Sequence, residues 1–129
     1  TPAPTEREAY LEATAERWKI WSAPEHWDAA AVRARLEREY VRSFDPAAVT
    51  RQLAAILASG SRAEALPSVT APTLVIHGLA DTLVKPDGGR RTAELIPGAK
   101  LLEIPDMGHE LPEAHWDTVL DAVEAHTGA

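Results

Sequence analysis

The fold prediction starts from the segment Ala71-Pro72-Thr73-Leu74-Val75-Ile76-His77-Gly78-Leu79-Ala80-Asp81. Residues 73–77 form a short apolar run, rich in β-branched side chains, between a proline and a glycine. Such a run is typical of a strand that is buried on both faces of a parallel sheet. Helix signals follow at 86–96, then a second apolar run at 100–104 and a last helix after Pro112, so the predicted order is β-α-β-α. That order makes parallel strands with a right-handed crossover, and the fold class is α/β.

The residues before this segment carry the start and stop signals of three helices. Thr5 and Glu8 have the spacing of a capping box, and Asp28 can cap a second helix. Asp45-Pro46 has the pattern of an N-cap followed by a proline at the first position of a third helix, which Gly60 can end. We therefore expect an all-helical first half.

Side chains that are apolar, apart from Thr14, recur at helical spacing in each predicted helix. We expect the stripes of the third and the last helix to face inward. The stripes are Leu11, Thr14, Trp18 and Trp21; Val32, Leu36, Tyr40 and Phe44; Val49, Leu53, Ile56 and Leu57; and Trp116, Val119, Leu120 and Val123. Arginines alternate with glutamates over residues 33–42, which indicates a solvated face with salt bridges. We divide the chain into a helical segment, 1–65, and a β-α-β-α segment, 66–129.

Composition excludes several classes of function. The chain has 129 residues, a formal net charge of -7 and no cysteine. An acidic chain with scattered arginines has no electrostatic footprint for nucleic acid or an anionic membrane surface. No apolar run approaches the roughly 20 residues that a membrane-spanning helix needs. Without cysteine there is no disulfide and no thiolate ligand or nucleophile, which fits a reducing compartment, and we expect a cytoplasmic location.

An aspartate and a histidine follow the two predicted strands. Asp81 comes after the first strand and His109 after the second. Because the carboxyl ends of parallel strands meet at one edge of the sheet, where ligands bind in open α/β folds, the two loops can bring carboxylate and imidazole together. In such a pair the carboxylate holds the ring in one tautomer and stabilises the imidazolium that forms when the ring takes a proton.

These loops carry a resemblance to a known family. Residues 71–78 followed by Asp81 resemble the strand and acid loop of α/β-hydrolases, and Ile104-Pro105-Asp106-Met107-Gly108-His109 resembles the loop that bears their catalytic histidine. The resemblance covers 66–127 and implies the C-terminal portion of an α/β-hydrolase fold, with a helical cap followed by β-α-β-α with parallel strands. It implies that Asp81 is the catalytic acid and His109 the catalytic base.

The nucleophile of that family is not in this sequence. A G-x-S-x-G elbow is absent, and the serines stand in other contexts: Ser22, Ser43, Ser59, Ser61 and Ser68. Residues 51–56 with Gly60 also resemble esterases of the aclacinomycin methylesterase type. The resemblance thus implies part of a hydrolase acting on carboxylic esters by a Ser-His-Asp mechanism, with the nucleophile in a missing N-terminal half. The alternatives are a non-catalytic binding or assembly module, or a dehalogenase, haloperoxidase or carbon–carbon hydrolase on the same scaffold.

We expect a small apolar ester-like substrate and no cofactor or metal. We also expect a complementary N-terminal hydrolase chain or self-association, because the first strand alone presents unpaired backbone groups. His77 is interpreted as a buried strand-end residue and Glu110 as a solvated carboxylate. The H-E-x-x-H zinc pattern is absent, since Glu113 stands at its last position, and no metal spacing joins His26, His115 and His126. The tryptophans Trp18, Trp21 and Trp27 can line a substrate pocket or pack between helices.

Overall fold

The computed structural model describes residues 6–128, so Thr5 of the predicted capping box lies outside the described residues. Its helices and strands are α1 (Arg7–Trp21), α2 (Ala29–Arg42), α3 (Ala48–Ser59), β1 (Leu74–Gly78), α4 (Pro86–Leu95), β2 (Lys100–Ile104) and α5 (Trp116–Thr127). The described residues form two compact units. The helical unit contains 6–20 and 28–61, and the core unit contains 21–27 and 62–128. No helix among these residues is both long and apolar enough to cross a membrane.

The core unit is built on a parallel strand pair, which confirms the predicted β-α-β-α order. β1 pairs with β2 in a register that places Leu74 opposite Lys100 and Gly78 opposite Ile104. β1 begins at Leu74, one residue later than predicted, whereas β2 spans the predicted residues. Ile104 and Met107, at and just after the end of β2, are buried, so the core lies under the loops that follow the strands.

Two burial predictions for the core unit are wrong. Residues 74–77 of β1 are only half-buried, not covered on both faces. On α5, Trp116, Leu120 and Val123 are exposed. The physical reason is the size of the sheet, which has two strands in the described part of the chain. A two-stranded sheet offers too little apolar surface to cover its own faces and the stripe of a helix.

The helical unit has an apolar interior between α1 and α2. Leu11 on α1 and Leu36 on α2 are buried. The Tyr10 ring centroid lies 5.0 Å from that of Phe44, edge to face, and the Tyr40 ring centroid lies 4.4 Å from that of Phe44. Aromatic pairs at these separations stabilise a fold beyond the area that they bury. The stripe predicted for the second helix thus faces inward.

The caps of α2 and α3 test the predicted helix boundaries. Asp28 caps α2, as predicted, by accepting a hydrogen bond from the Ala31 N–H at 2.9 Å. The prediction for Asp45 is wrong, because α3 begins at Ala48 and the Asp45 side chain accepts from the Ala47 N–H at 3.1 Å, within a turn. Gly60 ends α3 with a φ of 62°, a conformation that glycine adopts without strain.

The apolar stripe of α3 does not face inward, contrary to the prediction. Its four members are each more than half exposed: Val49, Leu53, Ile56 and Leu57. Periodicity establishes that these side chains share one face, but it does not supply a partner for that face.

Candidate active site

The acid loop after β1 is fixed by its own hydrogen bonds. Asp81 Oδ1 accepts from the backbone N–H groups of Leu83 at 2.8 Å and Val84 at 2.9 Å. His77 Nε2 lies 2.8 Å from the Val84 carbonyl oxygen, to which it donates. His77 is half-buried and sits within the last residues of β1, close to the interpretation made from the sequence. The loop therefore holds one carboxylate oxygen toward its backbone and leaves the other for a second partner.

The histidine loop after β2 packs directly against the acid loop. The Ala80 N–H donates to the Met107 carbonyl oxygen at 3.0 Å. Gly78 permits this approach, because a Cβ atom at that position would overlap the backbone oxygens of Met107 and Gly108. The end of β1 and the start of the histidine loop are thus in backbone contact, which explains a glycine at the end of the strand.

Asp81 and His109 form a close pair. His109 Nδ1 lies 2.8 Å from Asp81 Oδ2, with the Asp81 side chain 6% exposed and the His109 side chain 34% exposed. Burial alone would raise the pKa of Asp81. The hydrogen bonds from His109 and from the N–H groups of Val84 and Leu83 together outweigh it, so the pKa lies below its ordinary value. Since an ionised carboxylate only accepts, Nδ1 carries the proton and Nε2 carries the basic lone pair.

The connecting segment 21–27, which belongs to the core unit, supports the histidine loop. The His109 N–H donates to the Trp21 carbonyl oxygen at 2.8 Å. A Cβ atom at Gly108 would overlap the backbone of this segment, at Trp21 and Ser22 among others. The buried Ser22 hydroxyl donates to a Glu110 carboxylate oxygen, so Glu110 is not the solvated carboxylate that we expected.

The three tryptophans proposed for a pocket do not all lie in one unit. Trp18 belongs to the helical unit, where the Arg35 guanidinium lies 4.3 Å from its ring centroid. Trp21 belongs to the core unit, and its ring centroid lies 6.4 Å from that of His109 in an edge-on arrangement. Trp21 is therefore the member of this group whose ring approaches the candidate site, while the substrate pocket itself stays a prediction.

A second polar group, which we call the histidine-aspartate cluster, consists of His26, Asp106 and His115. His26 Nε2 lies 2.7 Å from Asp106 Oδ2, and His115 Nε2 lies 3.2 Å from Asp106 Oδ1. The hydrogen bond from His26 is the main cause that lowers the pKa of the Asp106 carboxyl. Sequence reasoning missed this cluster, because 80 positions separate His26 from Asp106 and no motif spacing connects them.

The parallel strand pair and the two loops that follow it place Asp81 and His109 together at the carboxyl edge of the sheet. The sequence model of the alpha/beta hydrolase fold matches residues 7–115. This match covers most of the chain, and the chain belongs to the α/β-hydrolase family. The prediction of the C-terminal portion of that fold is thereby confirmed.

Two curated relatives carry esterase names. The chain is 34% identical to rhodomycin D methylesterase DnrP of Streptomyces peucetius over 131 residues, which cover 99% of this chain and 43% of that relative. It is 33% identical to rhodomycin D methylesterase DauP of Streptomyces sp. (strain C5), with the same two coverages. The chain therefore spans less than half of the length of these curated relatives.

Solved structures share the fold. The enol-lactonase from Burkholderia xenovorans LB400 has a TM-score of 0.73 at 22% identity, with 93% of this chain and 46% of that chain covered. A structure described as an N-acyl homoserine lactone degrading enzyme has a TM-score of 0.58 at 24% identity, with 97% and 51% covered. At these identities the likeness establishes the fold and no shared activity.

Proposed function

We propose that the protein hydrolyses carboxylic esters by a Ser-His-Asp mechanism, with Asp81 as the acid that orients His109 and His109 as the general base. The serine lies in a part of the protein outside this chain. The single observation that carries the proposal is the 2.8 Å contact between His109 Nδ1 and Asp81 Oδ2, in which the carboxylate is held by two backbone N–H groups. The acid, the base and the order in which they occur are those of the family.

The proposed reaction moves one proton through His109. Its Nε2 takes the proton from the serine hydroxyl as the serine oxygen bonds to the acyl carbon. The ring then gives that proton to the departing alkoxide as the ester C–O bond breaks. Water repeats the sequence on the acyl-enzyme, which yields the carboxylic acid and the free serine. Asp81 stays ionised throughout and stabilises each imidazolium, so these steps need no cofactor.

A methyl ester of a carboxylic acid is the substrate class that we propose to test first. The two curated relatives at 33–34% identity are named methylesterases. The Trp21 ring centroid lies 6.4 Å from that of His109, and an aromatic ring near the base suits an apolar acyl group more than a charged one. A methyl ester therefore matches the names of the relatives, and an apolar acyl group matches the aromatic ring near the base.

We further propose that β1 pairs with a strand from a complementary N-terminal hydrolase region, in the same or another chain. In the described residues β1 pairs with β2 and is only half-buried. The exposed Trp116 and Leu120 of α5 would be covered by the same region. Parallel sheets normally have both faces covered, so an added strand and its helices would supply what this chain lacks.

Ester hydrolysis by the full-length protein, meaning this chain together with the proposed N-terminal hydrolase region, tests the function. We expect turnover of a methyl ester or of p-nitrophenyl acetate, with kcat falling about 10²- to 10⁴-fold in His109→Ala and in Asp81→Asn. The Asn side chain keeps a carbonyl oxygen that accepts hydrogen bonds from the acid loop. It presents an NH₂ group to His109 Nδ1, and that group cannot accept the Nδ1 proton. The 129-residue chain by itself is expected to show no turnover.

The matched controls are His126→Ala and Asp121→Asn, which change the same residue types on α5. Both are expected to keep wild-type kcat. Loss of turnover in the controls, or more than half of wild-type kcat in His109→Ala, would remove the pair from the mechanism. Full-length protein that neither turns over esters nor reacts with a fluorophosphonate would favour a binding module, and labelling at a residue other than serine would favour a different hydrolase chemistry.

A further inference from the structure

The histidine-aspartate cluster lies outside the Asp81–His109 pair and has no part in the proposed reaction. Each of its three residues offers one ligand atom, and these atoms lie within 4.8 Å of one another. The two imidazole rings meet edge to face, with centroids 4.8 Å apart. Two histidines and one carboxylate thus converge on one small volume at the surface of the core unit.

Three separate segments bring these ligands together. His26 ends the short turn Pro24–His26, and Asp106 follows β2. His115 ends the turn Glu113–His115, directly before α5. A ligand bound by all three residues would therefore connect the segment 21–27, the histidine loop and the start of α5.

His115 gives an independent indication that the cluster binds a ligand. Its Nε2 atom is buried and makes no hydrogen bond with the described residues, because its 3.2 Å approach to Asp106 Oδ1 lacks hydrogen-bond geometry. Buried polar atoms in folded proteins almost always have a partner. A metal ion satisfies an imidazole nitrogen as well as a hydrogen bond does, and this nitrogen already faces a carboxylate.

We propose that His26, Asp106 and His115 bind a divalent transition-metal ion, with Zn²⁺ as the best fit, through Nε2 of both rings and a carboxylate oxygen. Two nitrogen ligands disfavour Ca²⁺ and Mg²⁺, which select oxygen, and suit Zn²⁺. Tetrahedral Zn²⁺ with bonds of about 2.0–2.2 Å places neighbouring ligand atoms roughly 3.3 Å apart. His26 Nε2 lies 2.7 Å from Oδ2 of Asp106 and His115 Nε2 lies 3.2 Å from Oδ1, so each nitrogen is within about that separation of a carboxylate oxygen.

The ion would have a structural role near the candidate active site. Asp106 stands three positions before His109 in the same loop. Fixing Asp106 to His26 and His115 would hold one end of that loop, and metal binding to the native state alone raises stability by mass action. This inference does not depend on ester hydrolysis, since the three ligands take no part in the proposed proton transfers.

Zn²⁺ binding by the full-length protein, stripped of metal with a chelator, tests the proposal. We expect calorimetric titration with Zn²⁺ to give one site per chain and Zn²⁺ to raise the Tm. Co²⁺ in its place should give the visible absorption of a low-symmetry, four-coordinate site. His115→Ala and Asp106→Asn should each weaken Zn²⁺ binding at least about 10-fold, since even residues that only support a metal ligand are worth that much.

Three further variants make the result decisive. His26→Gln, at a partly exposed position, repeats the test if His115→Ala unfolds. His126→Ala removes a histidine outside the cluster and should bind Zn²⁺ as the wild type does, and His109→Ala should do the same. Absence of a 1:1 site, equal affinity in wild type and the cluster variants, or a loss of affinity in His109→Ala would each overturn the proposal.

Discussion

Arg33 in the helical unit and Asp81 in the core unit hold their charged partners in opposite ways. In the helical unit, Arg33 pairs with Glu8 at 2.7 Å and with Glu37 at 2.8 Å, yet the Glu8 side chain remains 70% exposed. In the core unit, Asp81 is almost fully buried and accepts hydrogen bonds from His109 and from two backbone N–H groups. Exposed pairs contribute little to stability, whereas a buried and fully paired carboxylate fixes local geometry and is costly to break.

The glycines of the chain also differ in how closely other backbone segments approach them. In the core unit, glycines allow backbone-to-backbone contact at Gly78 and at Gly108, where any Cβ atom would overlap a neighbouring segment. In the helical unit, Gly60 ends α3 with no heavy atom within 4 Å of its would-be Cβ. Steric precision is therefore concentrated around the Asp81–His109 pair, which is where a catalytic geometry would require it.

In the core unit, the largest effect that we expect on stability is that of Gly108→Ala. The new Cβ would lie 2.7 Å from the Ala23 nitrogen and would overlap the Trp21 carbonyl oxygen, which accepts the His109 N–H. These neighbours are backbone atoms and cannot rotate away. We expect the free energy of unfolding to fall by about 1–3 kcal/mol, measured from urea unfolding of the full-length protein.

Gly88→Ala is the matched control for this substitution. Its would-be Cβ meets only the Val84 Cγ1 atom, at 3.7 Å, which is ordinary contact. Gly88 lies within α4, where alanine is favoured over glycine by about 0.5–1 kcal/mol, so this variant should be as stable as the wild type or more stable. Equal stability of the two variants would show that the segments 21–23 and 107–109 adjust freely, and that the core unit is not the more rigid one.

The sequence predicted the core unit well, because its signals are local. A β-branched run between a proline and a glycine, and an apolar run before Pro105, each specify a strand without reference to the rest of the chain. The loops at the ends of neighbouring parallel strands then bring Asp81 and His109 together by topology alone. The resemblance to the family added the assignment of their roles, which remains a proposal.

Features that depend on distant partners could not be predicted. The stripe of Leu53 and Ile56 has helical periodicity whether or not anything covers it, so its exposure is invisible in the sequence. The start of α3 at Ala48 was missed because an aspartate in this pattern can stabilise an isolated turn, as Asp45 does, instead of capping a helix. His26 and His115 meet at Asp106 only after the chain folds, and spacing rules apply to ligands on one element.

Acid titration sharpens the comparison between the two kinds of carboxylate. The folded pKa of Asp81 lies below the value of about 3.9 expected in the unfolded chain. Its contribution is therefore fully present above the unfolded pKa and is lost as pH falls through the folded pKa. As pH falls from the unfolded pKa through the folded pKa, we expect the free energy of unfolding of the wild type to fall more steeply than that of Asp81→Asn. This difference should persist at low and at high NaCl.

Glu8 provides the exposed counterpart for the same titration. Its pKa is also lowered, chiefly by the hydrogen bond from Arg33. Because this pair faces solvent, we expect high NaCl to remove the difference in acid dependence between wild type and Glu8→Gln. Equal salt sensitivity of the Asp81 and Glu8 contributions would mean that the core pair is as solvated as the surface pair, and the comparison would fail.

The smallest effect that we expect is that of Arg33→Ala in the helical unit. Its guanidinium makes two close ion pairs, but holding three long side chains in solvent offsets most of their attraction, so the Tm should shift by about 1 °C or less.

Leu36→Ala, one turn further along α2, is the control. Leu36 is 3% exposed, and its truncation should cost about 2–5 kcal/mol and lower the Tm by several degrees. Thermal unfolding of the full-length protein measures both. Comparable losses in the two variants would show that the ion pairs, rather than the apolar contacts between α1 and α2, hold the helical unit together.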